Sequence, residues 1–382
     1  MMKERGLGFF GAVLICIMAW ETASATRAEF IPVIKFSGQY DDNVFLEPSG
    51  EKTDFVTRFS PGLNIRVPFG EYIADFRYTA DILSFSQYPS QDTLNHILYG
   101  QMKLDFNGWG INLEDNFEDT SERADTELTP RIDRQRNRLN LTSDIKFNRM
   151  VLELILKSQG ENYEEKSWEH EDRVENIYGL LFGIKVLPKT SVIGEYNYGE
   201  INYSRGKGIN SGSDFSQGFL GLRGELGAKC VANIKLGYQD RKYRKEGIPR
   251  FQNMVITTAL TERFSQRDTA KITLLRTAHE SAYSDYYRID KVWAEWSHRF
   301  GPKTSWTING SYQVNSYPQK TREAGEEKKR KDILSNLGFE LRYRIQKEFS
   351  TSLGYEYRQR DSNFTAFDYT GNLITLSFIF TL

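Results

Sequence analysis

The chain has 382 residues, 26% of them charged, a formal net charge of -1 and a mean hydropathy of -0.55. So low a hydropathy excludes a bundle of membrane-spanning helices, each of which needs about 20 consecutive apolar residues. The near-neutral charge gives no reason to expect a nucleic-acid partner, because such proteins carry a basic surplus that neutralises phosphates. The 21 Tyr, 25 Phe and 30 Gly, with only 10 Pro, favour strands over helices.

The first 25 residues have the pattern of a signal peptide. Lys3 and Arg5 precede an apolar run over 7–20, and small residues follow at 23–25. The run of about fourteen residues is too short to span a membrane as a helix. We therefore expect export, cleavage after residue 25 and a single mature domain over 26–382. Cys230 would be the one cysteine of the mature chain, so no internal disulfide is expected.

Apolar residues recur with period two along the mature chain. Near the C-terminus, Ile374, Leu376, Phe378 and Phe380 alternate with mostly polar residues. The segments 55–67, 74–82 and 336–345 repeat this pattern, and their polar faces carry full charges in mid-strand. A soluble sandwich or propeller would turn that polar face to bulk water, whereas a membrane barrel would turn it to a wet lumen.

The lengths of the connections distinguish these two folds. Short connections are predicted at 68–71, 107–108, 148–149, 187–190, 227–229, 265–268, 301–303 and 346–348. Long polar connections alternate with them, at 43–53, 87–93, 118–132, 164–172, 205–213, 241–250, 281–286, 316–331 and 361–367. The alternation predicts an all-β fold, namely a transmembrane antiparallel up-and-down β-barrel of about 18 strands with both termini in the periplasm.

Aromatic residues near both sets of connections suggest two interfacial belts. Those beside the short connections are Phe69, Tyr72, Phe106, Trp109, Phe147, Phe264, Phe300, Trp306 and Phe349, and those beside the long ones are Tyr40, Tyr88, Tyr163, Tyr203, Tyr317 and Tyr369. Such belts are typical of transmembrane barrels. The alternative is that Tyr and Phe are simply common in strands.

Alternation assigns the charged mid-strand residues to the lumen. This predicted lumen-lining set carries both signs and comprises Arg58, Arg66, Asp75, Arg77, Glu114, Glu153, Lys157, Glu195, Arg223, Lys235, Glu295, Arg299, Glu340, Arg342, Arg344, Glu356 and Arg358. In a barrel of this size they could line a path for a polar solute, or they could pair into ladders that hold the wall together. The sequence leaves both interpretations open.

No catalytic, cofactor-binding or metal-binding residues are predicted, and no cofactor is expected. His279 and Ser281 lie two residues apart and so share a face near the outer mouth, which is the one hint of a barrel esterase. No third partner is evident nearby, so we expect no enzymatic activity. Asp41 and Asp42 could hold calcium, although a solvated rim explains them as well.

Two segments resemble the N-terminal hairpin of the putative β-barrel porin 2 family. They read SGQYDDNVF at 37–45 and DFVTRFSPGL at 54–63, and the pairs Arg77-Tyr78 and Asn95-His96 extend the likeness. Beyond this N-terminal part the likeness is only architectural. Leu382 departs from the terminal Phe that is frequent in such barrels. The resemblance implies an eighteen-stranded outer-membrane barrel, often encoded with exopolysaccharide genes.

Three functions follow as hypotheses. The resemblance implies a conduit in the cell outer membrane for a secreted polysaccharide, working with a periplasmic polysaccharide-export protein. The second hypothesis is a general or solute-selective diffusion porin, which would fold a long loop inward as a constriction; 118–132 and 316–331 are the candidates. The third is a barrel esterase or surface adhesin. In each case outer-membrane lipid surrounds the barrel.

Overall fold

Eighteen β-strands make up most of the computed structural model, which describes residues 28–69, 72–124, 127–204 and 212–382. Within these residues the strands are β1 (Glu29–Asp41), β2 (Asp54–Phe69), β3 (Tyr72–Phe85), β4 (Thr93–Phe106), β5 (Trp109–Thr120), β6 (Arg134–Lys146), β7 (Met150–Tyr163), β8 (Arg173–Leu187), β9 (Thr190–Tyr203), β10 (Ser213–Glu225), β11 (Cys230–Tyr243), β12 (Phe251–Glu262), β13 (Asp268–Glu280), β14 (Tyr286–Arg299), β15 (Thr304–Glu323), β16 (Glu326–Arg344), β17 (Phe349–Ser362) and β18 (Tyr369–Thr381). The predicted signal peptide and most of the predicted connection 205–213 lie outside the described residues.

The strands form one closed sheet. Each strand pairs antiparallel with the next in sequence, and β1 pairs with β18 to complete the ring. Closure removes the free edges that an open sheet would expose. The prediction of an antiparallel up-and-down barrel of about 18 strands is confirmed, whereas the periplasmic location of the termini stays a prediction.

Short and long connections lie at opposite ends of the barrel. At one end, which we name the turn end, the connections have at most five residues, the longest being 263–267. At the other end, which we name the loop end, the longest connection is 121–133, between β5 and β6. Among the described residues, three loop-end connections contain a 3-10 helix, namely Pro89–Gln91, Glu169–Glu171 and Thr365–Phe367. No helix in the described ranges is long and apolar enough to cross a membrane.

The predicted long loop 316–331 is wrong. β15 and β16 continue through it as a hairpin that turns at Ala324 and Gly325, whose φ angles are 50° and 84°. Lys320 pairs in register with Lys329, and Glu323 with Glu326. The charges that suggested a solvated loop run consecutively through 326–332, so both faces of the hairpin carry them: on β16 Lys329 and Lys331 are exposed, whereas Arg330 is buried.

The two faces of the barrel wall differ in the way that the alternation predicted. Leu220 is 73% exposed and Tyr196 55% exposed on the outer face, whereas Ser37 is fully buried on the inner face. Large apolar side chains on the outside have no second protein layer to cover them, as expected where lipid forms that layer.

Only part of the aromatic prediction agrees with the structure. At the turn end, Trp109, Phe147, Phe264 and Phe300 are exposed on the wall. At the loop end Tyr40 is exposed, but other members of the predicted belt turn inward, and Tyr163 and Tyr317 are buried. The second belt is therefore wrong for these tyrosines, because their strand positions have the parity of the inner face.

Candidate functional site

The predicted lumen-lining set lies on the inner face, by strand register. Arg58, for example, is in register with the buried Ser37 on β1 and with Leu83 on β3, which is 1% exposed. The pairs Arg223–Glu153 and Lys235–Glu195 each have a nitrogen–oxygen distance of 3.0 Å. Both pairs join strands that are not neighbours, which is possible on a concave inner surface. Whether any of these residues contacts a passing solute stays a prediction.

Many members of the set form ion pairs or polar contacts. Arg66 pairs with Asp75 at 3.1 Å, Arg342 with Glu340 at 3.0 Å, Arg358 with Asp41 at 2.8 Å and Glu295 with Lys271 at 2.8 Å. Glu114 accepts a hydrogen bond from Gln101, and the Arg77 guanidinium lies over the Tyr99 ring. In the described part of the chain no ion pair involves Lys157, Arg299, Arg344 or Glu356. Among the described residues, the inner face therefore contains charges that pair along the wall as well as charges that form no ion pair.

The described residues of the connection between β5 and β6, 121–124 and 127–133, fold into the barrel, and we name this connection the plug loop. Near its own strands it is fixed by Glu122, whose carboxylate lies 2.5 Å from Arg58 Nη2 and 2.9 Å from Arg131 Nη1. Arg123 donates a hydrogen bond to the carbonyl of Val44, at 2.5 Å. These contacts draw the loop inward from the rim.

The plug loop also reaches the opposite wall. The Glu127 carboxylate accepts a hydrogen bond from the Ser281 hydroxyl, and its backbone carbonyl accepts one from Arg360 Nη1 at 2.9 Å. Ser281 follows β13 and Arg360 lies on β17, whereas the loop begins at β5. Since β13 is eight strands from β5 in a ring of eighteen, the loop crosses the lumen.

Apolar packing completes the plug. Leu128 and Ile132 are each 3% exposed and form a cluster with Tyr163 and Ala282, against which Trp168 packs. Burying two aliphatic side chains contributes about 3–6 kcal/mol to holding the loop inward, before the entropy of ordering it is subtracted.

Charges at the plug perturb several groups outside the strands. Burial alone would raise the pKa of Glu122, but Arg131 and Arg58 outweigh it and hold that pKa below its ordinary value. Burial, with the nearby cations Arg131 and Arg358, lowers the pKa of Arg123 to about 10.

Glu171, in the 3-10 helix before β8, shifts the other way. Burial raises its pKa to about 7 despite the neighbouring Arg173, and the carboxylates of Glu127 and Glu280 add to the rise. The plug is thus bounded by a carboxyl group that binds a proton near neutral pH.

Sequence reasoning missed the buried charges around the plug. Arg134 and Glu161 are 1% and 3% exposed and lie 3.1 Å apart, and Arg173 also donates to Glu161. Further buried pairs are Arg241–Glu280 at 2.5 Å and Arg330–Asp332 at 2.7 Å. Breaking one such pair leaves a buried charge and costs about 3–5 kcal/mol. Strand parity is the signal that could have found most of them, since Arg134, Glu161, Arg241 and Arg330 have the parity of the inner face, whereas Glu280, the last residue of β13, does not.

The turn end of the lumen is more accessible than the loop end. Arg66, Arg299, Arg342 and Arg344 are exposed inner-face residues near the turns, whereas Arg134, Arg241 and Arg330 near the loops are buried. A cavity of about 550 Å³ at the turn end is lined in part by Arg299, Lys303, Arg342, Arg344 and Lys347. Among the described residues the inner surface is therefore a funnel, in the sense that its arginines are accessible at the turn end and buried beside the plug loop at the loop end.

The residues considered for catalysis and calcium have other partners. The Ser281 hydroxyl bonds Glu127, whereas His279 Nδ1 lies 2.9 Å from the Glu280 carbonyl. Asp41 accepts from Arg358, and Asp42 accepts from the backbone and side chain of Asn372. No group of three or more His, Cys, Asp and Glu that could hold a metal ion occurs among the described residues.

Comparison with known proteins agrees with the barrel architecture. A family model described as Putative beta-barrel porin 2 matches residues 29–381. No curated protein matches the sequence. Among solved structures, OccAB3 of Acinetobacter baumannii is similar with a TM-score of 0.51 and 10% identity, over 93% of this chain and 99% of that one. OccK2 (OpdF) of Pseudomonas aeruginosa is similar with a TM-score of 0.49 and 10% identity, over 93% and 98% of the two chains.

Proposed function

Because this chain belongs to the Putative beta-barrel porin 2 family, we propose that it forms a gated channel for a polar solute in the outer membrane. The observation that carries the proposal is the plug loop, which crosses the lumen and is anchored on the far wall through Glu127. An inner wall of interleaved charges suits a hydrated solute, and an inward loop restricts which solutes pass. The plug loop is the constriction expected of a selective porin.

The gate can open without unfolding the barrel. The far anchors are hydrogen bonds to Glu127 from Ser281, Arg360 and the Tyr283 backbone N–H, together with the apolar cluster of Leu128 and Ile132 with Ala282, and none of them is part of a strand-to-strand ladder. Hydrogen bonds to charged groups contribute roughly 1.5–3 kcal/mol each and the apolar cluster about 3–6 kcal/mol, and all of these contacts can break while the strand ladders of the closed sheet stay intact. Movement of the loop is therefore the least costly way to widen the lumen.

Conductance in planar bilayers tests the gate. Replacing residues 122–132 by a short Gly-Ser linker is expected to raise single-channel conductance severalfold, because the lumen loses its crossing segment. The matched control removes residues 321–328 from the tip of the β15–β16 hairpin, which is not part of the plug loop. This deletion should leave conductance near that of the unaltered protein. Equal conductance of the plug deletion and the unaltered protein would reject the constriction.

A second candidate function is export of a polysaccharide, which the resemblance of 37–63 to the family also implies. The specific observation in its favour is the funnel: the inner face is accessible at the turn end, and the plug loop lies at the loop end. If the turn end faces the periplasm, a chain delivered there would meet a gate only at the cell surface. The short turns carry no domain that could deliver it, so a separate periplasmic export protein would be the partner.

Deleting the gene tests export. We expect less cell-surface polysaccharide in the deletion strain and recovery on complementation with the unaltered gene. Complementation with the plug-deleted variant should also restore export, together with increased sensitivity to large antibiotics. Unchanged surface polysaccharide in the deletion strain would reject export and leave the solute-selective porin.

A further inference from the structure

One wall of the lumen differs chemically from the rest. Successive inner-face positions of β15 hold only uncharged hydrogen-bonding side chains, namely Ser305, Thr307, Asn309, Ser311, Gln313 and Asn315. All but Asn315 are partly exposed. Several other strands carry ion-paired residues on the inner face, as in Arg223–Glu153 and Lys235–Glu195. This continuous row of hydroxyl and amide groups is a distinct surface.

Trp293 stands beside this row on β14. It is in register with Ser311 on β15 and Thr273 on β13, on the inner face, and it is partly exposed. Among the described residues no hydrogen bond or ring contact involves its indole. The outward neighbour Trp296, by contrast, is 47% exposed and in edge contact with Trp306. An indole with a free N–H inside a wet lumen is not needed for packing or for a membrane belt.

The row begins at a basic rim at the turn end. Arg299, Arg344, Lys303 and Lys347 line the cavity of about 550 Å³ there, and within the described ranges no ion pair involves any of them. The fifth cation of that cavity, Arg342, pairs with Glu340 at 3.0 Å. Glu348 is the acidic residue of the lining. The rim therefore presents an excess of positive charge to anything that enters.

We propose that the basic rim, the β15 row and Trp293 together form a binding track for an acidic glycan chain, a claim that rests on the proposed channel function. Sugar rings present an apolar C–H face that stacks on an aromatic ring, and hydroxyl groups that exchange hydrogen bonds with amides and hydroxyls. Carboxylates on the chain would bind the guanidinium groups of the rim. Trp293 is six residues from Arg299 on one strand, about 20 Å, so one oligosaccharide can span both.

Hydrogen bonds within the row leave it able to bind. Ser297 and Thr307 lie 3.1 Å apart, Gln313 donates to Asn315 at 2.8 Å and Asn336 donates to Ser311 at 3.4 Å. A hydroxyl offers one donor and two acceptor positions, and an amide two of each, so these bonds occupy only part of the capacity. Among the described residues, the Asn309 side chain makes no hydrogen bond.

Block of ion current measures the track. A galacturonate tetramer and a neutral galactose tetramer are added in turn to each side of the reconstituted channel. We expect the acidic tetramer to block at lower concentration than the neutral one, with a difference that shrinks as salt screens the rim charges. Equal block by both tetramers at low salt would overturn the acidic specificity.

Variants assign the parts of the track. Trp293→Ala should weaken block by both tetramers about tenfold, whereas Trp296→Ala on the outer face should not change it. Arg299→Gln with Arg344→Gln should weaken block by the acidic tetramer alone, and Lys229→Gln on another turn serves as the control. Identical behaviour of Trp293→Ala and Trp296→Ala would reject the track.

If the reconstituted barrel does not conduct, the proposed channel function fails, but the binding track can still be tested. The same tetramers are then titrated calorimetrically into the detergent-solubilised barrel and its variants. Binding that depends on Trp293 but not on Trp296 supports the track without conduction. Absence of heat with either tetramer overturns it.

Discussion

The exposure of a charged side chain in this barrel depends on its height in the lumen more than on its residue type. Arg134 and Arg344 are both inner-face arginines, yet Arg134 is 1% exposed in a buried ion pair and Arg344 is exposed at the turn end. A buried guanidinium needs its partner, because desolvation is not otherwise offset. An exposed one is free to bind a solute.

Glu171 makes the loop end sensitive to pH. Its pKa is about 7 in the folded protein because of burial, and an unfolded chain would return it to the ordinary value near 4.5. The native state therefore binds more protons at Glu171 between those two values, so the contribution of Glu171 to stability is largest at acidic pH and falls as pH rises from about 4.5 to about 7. Above pH 7 this contribution is constant.

Glu171→Gln is expected to flatten that dependence. The variant cannot ionise, so its melting temperature in detergent, followed by circular dichroism from pH 4 to pH 8, should fall less than that of the unaltered protein. Glu165→Gln in the same connection, an exposed glutamate, is the control. Parallel curves for Glu171→Gln and the unaltered protein would contradict the assignment.

At the scale of elements, the β15–β16 hairpin shows how charge and strand structure coexist. Arg330 donates to Asp332 at 2.7 Å, and its guanidinium lies 3.6 Å from the centre of the Phe367 ring, so an inward charge anchors the hairpin base. Lys320 and Glu327 are 3.7 Å apart nearer the tip. The turn at Ala324 and Gly325 uses two left-handed residues, the conformation that two-residue hairpins prefer.

The hairpin turn should decide the protease sensitivity of this region. Gly325→Val places a β-branched residue at a φ of 84°, which strains the turn and should loosen the tip. We expect trypsin to cut the variant at Lys328 or Lys329 faster than the unaltered protein. Gly227→Val in a turn-end connection, where the glycine has open surroundings, is the control. Equal cleavage rates would show that the tip is not held by its turn.

At the scale of the whole molecule, the barrel has two unlike ends. The described turns carry more basic than acidic residues, namely Arg149, Lys189, Lys229, Arg263, Arg267, Lys303 and Lys347 against Glu348. The connection 164–172 at the loop end is acidic, with Glu164, Glu165, Glu169, Glu171 and Asp172 against Lys166. Such a difference favours entry of an anion at the turn end.

Cysteine labelling tests which end faces the cell exterior. In a Cys230→Ala background, Glu51→Cys at the loop end should react with a membrane-impermeant maleimide on intact cells, and Lys347→Cys at the turn end should react only after lysis. Heat-modifiable mobility on a gel verifies that both variants fold as barrels. Labelling of the Lys347→Cys variant alone on intact cells would reverse the orientation and the direction of the funnel.

The sequence by itself determined the wall of this protein. Period two fixes which side chains share a face, and connection lengths fix the number and order of strands, because both are local properties of the chain. The register places Arg58, Glu195 and Arg342 on the inner face, and their contact with a solute stays a prediction. At 316–331 consecutive charges occupy both faces of the strands, so no apolar period marks them and the polar composition suggested a loop.

Only the tertiary structure decided what fills the lumen. Glu127 meets Ser281 across 154 residues of sequence, and Arg360 meets the Glu127 carbonyl across 233. Closure of the sheet brings them together, because β5 and β13 lie on opposite sides of the ring of eighteen strands. The local pattern predicts an inner face, but whether a given inner residue meets water, a partner or the plug depends on what the closed barrel places opposite it.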